Sequence, residues 1–198
     1  MQSTKQESDF ETMSTDTKHI LGIVGSPRKC GNTDTLVDSV LAGAAQYGAV
    51  SEKVILNDLS IAPCRACNHC QKGGKCIQED DMVHLIERME RSDIWVLGTP
   101  IYWWGPRAQL KIFIDRWYGL NPRIFQGKRI VLTIPMGGED SHYAQHTVGM
   151  ITDICNYLGI ELIDSVIATG MNGRNSVRES SRMLETARAT GIKIMNTK

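Results

Sequence analysis

Residues 20–36 read ILGIVGSPRKCGNTDTL, an apolar run followed by a turn rich in glycine and polar residues. The run at 20–24 is unbroken, as expected of a strand that is covered on both faces of a sheet. After the turn, apolar residues recur at helical spacing, namely Leu36, Val37, Val40, Leu41, Ala44 and Ala45. The stretch therefore predicts a strand, a turn and the first part of a helix.

The same alternation of strand and helix continues to the end of the chain. Further strands are predicted at 52–57, 93–98, 129–134 and 161–168. Helical stripes between or after them are Met82, Leu85, Ile86 and Met89; Leu110, Phe113, Ile114 and Trp117; Val148, Ile151, Cys155 and Leu158; and a last helix from about Ser176. Alternating elements predict an α/β fold, a doubly wound parallel sheet with helices on both faces. Five units match the flavodoxin-like strand order 2-1-3-4-5 better than the longer dinucleotide-binding order.

Length and charge exclude several classes of protein. The chain has 198 residues, with 22 Lys and Arg against 22 Asp and Glu. This neutral balance argues against binding to nucleic acid or to an anionic membrane. No run is long and apolar enough for a membrane span or a secretory signal, so we expect a cytoplasmic protein. Residues 1–17 are polar, and we expect a disordered extension ahead of one domain at 18–198.

The turn after the first strand, GSPRKCGNTDTL (25–36), has the features of a phosphate site. A helix start at the carboxyl edge of the sheet offers unpaired N–H groups and the positive end of a dipole. Ser26, Asn32 and Thr33 can donate hydrogen bonds, and Arg28 can add a charged contact. The turn is neither a P-loop nor a G-x-G-x-x-G motif. The simpler interpretation is an ordinary turn in which Asn32 or Thr33 caps the helix.

The segment after the third strand, TPIYWWGPRAQLKIFIDR (99–116), places aromatic residues in a turn. Tyr102, Trp103 and Trp104 lie where a planar heteroaromatic ligand would bind at this edge of the sheet. Alternatively, they pack on the sheet end or on a partner subunit. After the fourth strand, Gly137 and Gly138 let a third loop approach the same ligand. His142 and His146 are interpreted as surface or capping residues rather than metal ligands.

Four of the six cysteines lie close together, in IAPCRACNHCQKGGKCIQEDDM (61–82). Their spacing, C-x2-C-x2-C-x5-C, resembles the ferredoxin-type run and favours an iron–sulfur cluster on Cys64, Cys67, Cys70 and Cys76. Zinc, a redox-active thiol pair and inert loop cysteines stay open as alternatives. His69 is interpreted as a solvent-facing residue of this insertion, which spans about 59–80.

Together, GSPRKCGNT, the cysteine cluster followed by DDM, and TPIYWWGPRAQLKIFIDR resemble the iron–sulfur flavoproteins. These belong to the wider family of NADPH-dependent FMN reductases and flavodoxin-like NAD(P)H oxidoreductases. The resemblance covers the chain from about residue 18 to the end. The sequence departs from the family pattern at Cys30, where glycine is common, and at the bulky pair Trp103 and Trp104.

The resemblance implies tightly bound FMN and a homodimer or homotetramer in which each FMN lies near a subunit interface. By position, Ser26, Arg28, Asn32 and Thr33 would hold the phosphate. The isoalloxazine would be lined by Pro100, Ile101, Tyr102, Trp103, Trp104 and Gly105, with Met136, Gly137 and Gly138 closing over it. The four cysteines would hold one 4Fe-4S cluster.

These observations predict an FMN-dependent oxidoreductase that transfers electrons from a reduced donor, NAD(P)H or a ferredoxin-like partner, to an acceptor. The flavin carries the chemistry, so no side chain is assigned as a catalytic residue. One alternative is a cluster-free NAD(P)H-dependent FMN or quinone reductase. Another, from a different class, is a non-catalytic electron carrier or redox sensor.

Overall fold

The computed structural model describes residues 17–197. That part of the chain contains the strands β1 (His19–Val24), β2 (Val50–Ile55), β3 (Ile94–Gly98), β4 (Ile101–Tyr102), β5 (Gly105–Pro106), β6 (Arg129–Pro135) and β7 (Glu161–Ala168). Five strands form one parallel sheet in the order β2-β1-β3-β6-β7, while β4 and β5 form a separate antiparallel hairpin. Counted within the main sheet, this is the predicted order 2-1-3-4-5, and the flavodoxin-like fold is confirmed. The predicted extension lies outside the described residues, apart from Thr17.

The helices are α1 (Asn32–Ala45), α2 (Met82–Arg91), α3 (Ala108–Asp115), α4 (Gln145–Leu158), α5 (Ser176–Glu179) and α6 (Ser181–Asn196). Short 3-10 helices occupy Leu56–Asp58, Cys70–Lys72, Arg116–Gly119, Pro122–Phe125 and Ser141–Ala144. Among the described residues, no helix has the length and apolar character needed to cross a membrane.

The sheet separates two hydrophobic cores, because alternate residues of each strand point to opposite faces. Leu21 and Ile23 pack with the apolar sides of α2, α3 and α4. Ile20 and Val24 face the other way and pack with α1 and α6. The prediction of helices on both faces is therefore confirmed.

Some predicted boundaries are wrong. The last helix is not continuous, because Ser180 interrupts it at φ −100° and ψ 92° and its side chain accepts a hydrogen bond from the Met183 N–H. The second strand begins and ends two residues earlier than predicted, and the chain turns into a 3-10 helix at Leu56. Ala45 is exposed rather than part of the buried stripe of α1. The hairpin of β4 and β5 lies inside a segment that the sequence analysis treats as an irregular turn.

Candidate functional site

The turn between β1 and α1 is fixed to the neighbouring strand and leaves the helix start open. The Gly25 N–H donates to the Gly98 carbonyl at 2.7 Å, which joins the turn to the end of β3. Gly31 is the N-cap of α1, and within the described residues no side chain caps this end. The interpretation of Asn32 or Thr33 as an ordinary cap is therefore wrong. An uncapped helix start has N–H groups that an anion can accept from.

The four side chains predicted around this turn have different roles. Ser26 is buried, and its hydroxyl accepts a hydrogen bond from the Arg28 N–H at 3.3 Å. Thr33 is buried as well, whereas Arg28 is exposed. The Asn32 amide donates to the Gly173 carbonyl at 2.7 Å and accepts from the Val177 N–H at 3.1 Å. The Asn32 side chain thus tethers the segment after β7, and what it offers an anion is its backbone N–H.

A buried carboxylate that the sequence analysis did not identify holds the turn in shape. Cys30 has a φ of +57°, in the left-handed region that favours glycine. The Cys30 N–H donates to Asp34 Oδ2 at 2.6 Å. The other Asp34 oxygen accepts from Lys53 Nζ at 2.5 Å, and Lys53 also pairs with Asp38 at 2.6 Å.

Electrostatics keep Lys53 charged in this arrangement. Burial acts to lower the pKa of Lys53, but the hydrogen bonds that Lys53 donates to Asp34 and Asp38 outweigh it and raise that pKa. The negative charge of Asp34 is therefore balanced by Lys53, while its other oxygen holds the Cys30 N–H in place. The sequence points to this role of Asp34 only through the presence of an acidic residue in the first turn of α1.

An open pocket of about 270 Å³ is formed by the segments that follow β3 and β6. It is lined by Ile101, Trp103, Trp104, Met136, Gly137, Gly138 and Tyr143. Pro100, Tyr102 and Gly105 are not among the lining residues; Tyr102 instead lies under the Arg107 guanidinium, 5.1 Å from its ring centre. The expectation that the whole stretch from Pro100 to Gly105 contacts the ligand is thus not matched by the pocket. Tyr143 was missed, because no periodic pattern links it to the aromatic turn.

The glycines of the third loop are required by close contacts at the pocket wall. A Cβ on Gly137 would lie 2.4 Å from Asn172 Oδ1, and one on Gly138 would lie 2.4 Å from the Tyr143 ring. Any larger residue would displace these neighbours. The predicted role of this loop, close approach to a ligand, is consistent with its position in the pocket lining.

The pocket's two tryptophans have an uncommon backbone conformation. Trp103 and Trp104 have φ values of +49° and +61° and form the two-residue turn between β4 and β5. Tight hairpins of this length favour Asn-Gly, since both central residues need positive φ. The Trp103 side chain is 91% exposed, while Trp104 packs edge-on against Tyr143 with ring centres 6.5 Å apart. Bulky residues held in such strained conformations are typical of ligand sites.

All four clustered cysteines line one small cavity, together with Arg116, Tyr118 and Gly119. None of the four is in a disulfide; Cys64 and Cys67 are exposed, and Cys70 and Cys76 are half-buried. Positive φ values at Ala66 and Asn68 turn the chain on either side of Cys67. The thiols are not drawn together, since residues 17–197 contain no group of three or more His, Cys, Asp or Glu side chains arranged to hold a metal. His69 is exposed and is not part of the cavity lining.

The cysteine loop is the segment at 62–80 that contains the four clustered cysteines, and Arg116 binds both of its ends. Its Nη1 donates to Asp80 Oδ2 at 2.6 Å and to the Ala62 carbonyl at 2.9 Å, while Nη2 contacts Cys76 Sγ at 3.6 Å. The Arg116 side chain is only 3% exposed. Burial acts to raise the pKa of Asp80, but the hydrogen bonds from Arg116, Ala62 and Met82 hold that pKa below its ordinary value. No local sequence pattern links Arg116 to Asp80, because the two residues lie 36 positions apart.

The remaining candidate residues stay outside both sites. His142 and His146 are exposed, as expected. Cys155 is buried in α4, and burial raises the pKa of its thiol to about 11, so it stays protonated. Cys30 is exposed in the turn between β1 and α1.

Comparison with known proteins identifies the family. The sequence profile of the NADPH-dependent FMN reductase family matches residues 19–171. The chain belongs to this family. An iron-sulfur flavoprotein of Methanocaldococcus jannaschii is 38% identical over 153 residues, which cover 77% of this chain and 76% of that protein. An iron-sulfur flavoprotein of Methanosarcina thermophila is 28% identical over 176 residues, covering 88% and 92% of the two chains.

A solved structure supports the fold assignment independently. The NAD(P)H:quinone oxidoreductase from Methanothermobacter marburgensis superposes with a TM-score of 0.74 at 21% identity, covering 92% of this chain and 98% of that one. The family match and the M. jannaschii relative confirm the predicted resemblance and enzyme class: this FMN reductase family member is an FMN-dependent NAD(P)H oxidoreductase.

The described residues fit the flavin that the family implies. The uncapped start of α1 and the exposed Arg28 suit a phosphate, and the aromatic and glycine residues that line the pocket suit a planar ring. For an iron–sulfur cluster the fit lies in the donor set. Four free thiols line one cavity, and a guanidinium N–H reaches one of them.

Proposed function

We propose that this protein transfers electrons from a reduced donor to an acceptor through FMN and a 4Fe-4S cluster held by Cys64, Cys67, Cys70 and Cys76. The observation that carries the proposal is that all four thiols line a single cavity on the same chain as the flavin pocket. NAD(P)H is the expected donor for the family, and a ferredoxin-like protein is a second candidate donor.

FMN would bind with its phosphate at the start of α1. Backbone N–H groups of Asn32 and Thr33, the Ser26 hydroxyl and the Arg28 guanidinium are the proposed phosphate partners. Ile101, Trp103 and Trp104 would cover one side of the ring, and the loop at 136–138 the other. Pro100, Tyr102 and Gly105 would shape the hairpin rather than contact the ring. Bound FMN supplies both one- and two-electron chemistry.

In this proposal the side chains contribute to the reaction by holding the flavin ring in position. The strained aromatic turn and the glycine-lined wall would orient a planar ring and limit the access of water to one face. Within residues 17–197, no titratable side chain lines the pocket except Tyr143. We therefore assign no catalytic acid or base.

The cysteine site would add a one-electron centre. Soft thiolates are the ligands that iron–sulfur clusters require, and four of them match a cubane with one cysteine on each iron. A reducing compartment such as the cytoplasm would keep these thiols free. The protein would act as a homodimer or homotetramer, since Trp103, Trp104 and Tyr102 leave apolar surface exposed beside the pocket.

One observation favours a second candidate, a cluster-free NAD(P)H-dependent FMN or quinone reductase. The four thiols line a cavity without meeting as a preformed ligand set. In that candidate the loop would serve only as a surface element.

An anaerobic preparation separates the candidates. We expect chromatography of the denatured protein to release FMN and not FAD, because the chain carries one phosphate turn and no pyrophosphate motif. We expect about four iron and four sulfide per chain, and rapid bleaching of the flavin by NAD(P)H. FMN without iron, or zinc at the cysteines, would support the cluster-free reductase. Flavin that NAD(P)H does not bleach would support an electron carrier, and absence of FMN would contradict the proposal altogether.

A further inference from the structure

Arg116 occupies a position between the body of the fold and the cysteine loop. It lies directly after α3, in the 3-10 helix Arg116–Gly119, and is buried although it carries a charge. A guanidinium keeps its charge in proteins, so burying it requires partners that compensate for lost water. Its partners here are one carboxylate, one carbonyl and one cysteine sulfur.

The ion pair of Arg116 and Asp80 holds together the two ends of the cysteine loop, at Ala62 and Asp80. The Ala62 N–H donates to Asp80 Oδ2 at 3.0 Å, and the Ala62 carbonyl accepts from Arg116 Nη1 at 2.9 Å. Asp80 Oδ1 accepts from the Met82 N–H at 3.1 Å, which anchors the pair to the start of α2. Both backbone groups of Ala62 are thus held, two residues before the first cysteine.

The remaining guanidinium N–H groups are available to the fourth cysteine. Nη2 lies 3.6 Å from Cys76 Sγ, within hydrogen-bond reach of a sulfur acceptor. Hydrogen bonds and positive charge at ligand sulfurs stabilise the more negative, reduced state of an iron–sulfur centre. The Asp80 carboxylate, which accepts from the other terminal nitrogen of the guanidinium, has the opposite effect on that state because its charge is negative.

We propose that Arg116 is a positioning residue that raises the reduction potential of the cluster through its N–H contact to Cys76, and that Asp80 lowers this potential. The inference rests on the proposed cluster. Addition of one electron to the cluster increases its negative charge, and no proton or bond change is involved. The pair thereby sets the potential while it closes the loop.

Because Arg116 and Asp80 carry opposite charges, removing either charge should shift the reduction midpoint of the cluster in opposite directions. The one-electron midpoint of the cluster is measured in the complete, FMN-loaded protein by anaerobic titration with dithionite and mediators, followed by electron paramagnetic resonance. Arg116→Met should lower the midpoint, and a tenfold weaker preference for the reduced state corresponds to about 59 mV. Asp80→Asn should raise it, and Arg116→Lys should fall between wild type and Arg116→Met.

A matched control removes a cation elsewhere. Arg88 pairs with Glu52 at 3.0 Å on the other end of α2, so Arg88→Met should leave the cluster midpoint unchanged. Every variant should keep the flavin midpoint of the wild type. A purely structural role would shift the midpoints of Arg116→Met and Asp80→Asn in the same direction, or neither, and either result overturns the inference.

Loss of the cluster, in a variant or in the wild type, also gives a definite answer. If Arg116→Met fails to take up iron, the opposite shifts of Arg116→Lys and Asp80→Asn still support the inference, and their absence contradicts it. A wild-type protein that holds no cluster after anaerobic reconstitution with iron and sulfide overturns both this inference and the proposed cluster. A wild-type cluster with unshifted variants overturns the role of Arg116 alone.

Discussion

Two regions of the molecule differ in how much of their geometry the fold supplies. One is the proposed flavin site, made by the turn after β1 and the aromatic pocket, and the other is the cysteine loop. The phosphate turn is joined to β3 through Gly25, to α1 through Asp34 and to the segment after β7 through Asn32. The cysteine loop is mostly exposed between residues 62 and 79 and contains a single 3-10 turn, Cys70–Lys72. Its base is closed by Arg116 and Asp80.

This difference indicates two ways of building a cofactor site. At the proposed flavin site, strand ends and a helix start would hold the binding groups before the ligand arrives, so binding would order little new structure. In the loop the ligands are gathered but not brought into a common geometry. A metal centre can complete such a site itself, because the free energy of ligation is available to order the chain.

The largest expected effect distinguishes the two regions directly. Cys67→Ser replaces a soft thiolate with a hydroxyl that binds iron poorly, so most of the iron and the broad brown absorbance should be lost. FMN content should not change, because the phosphate turn is a separate element. Iron analysis and flavin absorbance of the anaerobic protein provide the measurement.

Cys30→Ser is the control for that experiment, since Cys30 is exposed and lies in the flavin turn rather than the loop. This variant should keep both cofactors. Joint loss of flavin and iron in Cys67→Ser would show that the two sites are not independent, which is contrary to the comparison.

A smaller effect is expected at the phosphate turn. Arg28→Ala should weaken FMN binding by about 1.5–3 kcal/mol, a factor of roughly 10 to 150, if its guanidinium makes a charged hydrogen bond to the phosphate. The matched control is Lys29→Ala, because Lys29 is already paired with Asp58 at 2.8 Å. Fluorescence titration of the flavin-free protein measures both affinities. Equal losses in the two variants would indicate a general charge effect and remove Arg28 from the site.

The smallest effect concerns strain stored in the flavin pocket. Replacing Trp103 and Trp104 together with Asn and Gly should stabilise the flavin-free protein by about 1 kcal/mol, because each left-handed bulky residue costs roughly 1–2 kcal/mol and some aromatic packing is lost. FMN affinity should fall at the same time. Urea unfolding and flavin titration test the two halves of this prediction.

Tyr157→Asn serves as its control, since Tyr157 is 89% exposed but lies in the regular helix α4. That change should bring no gain in stability. A less stable double variant would mean that the hairpin is not strained.

Much of the fold could be predicted because its signals are local. Apolar runs, several of them continuous, marked the five main strands, and helical spacing marked the buried sides of the helices between them. The turn at 25–33 and the cysteine spacing also lie within short stretches, so the pattern alone identified both candidate sites. The hairpin at 101–106 was missed because two tryptophans replace the Asn-Gly signal that normally marks such a turn.

The sequence by itself determined the order of strands and helices, the family and the positions of the two candidate sites, the turn after β1 and the clustered cysteines. Only the tertiary structure decided which side chains support those positions. Asp34 meets Lys53 across 19 residues, and Asp80 meets Arg116 across 36. Such pairs leave no periodic pattern, because the partners approach only when parallel strands and crossover helices bring distant segments to one edge of the sheet.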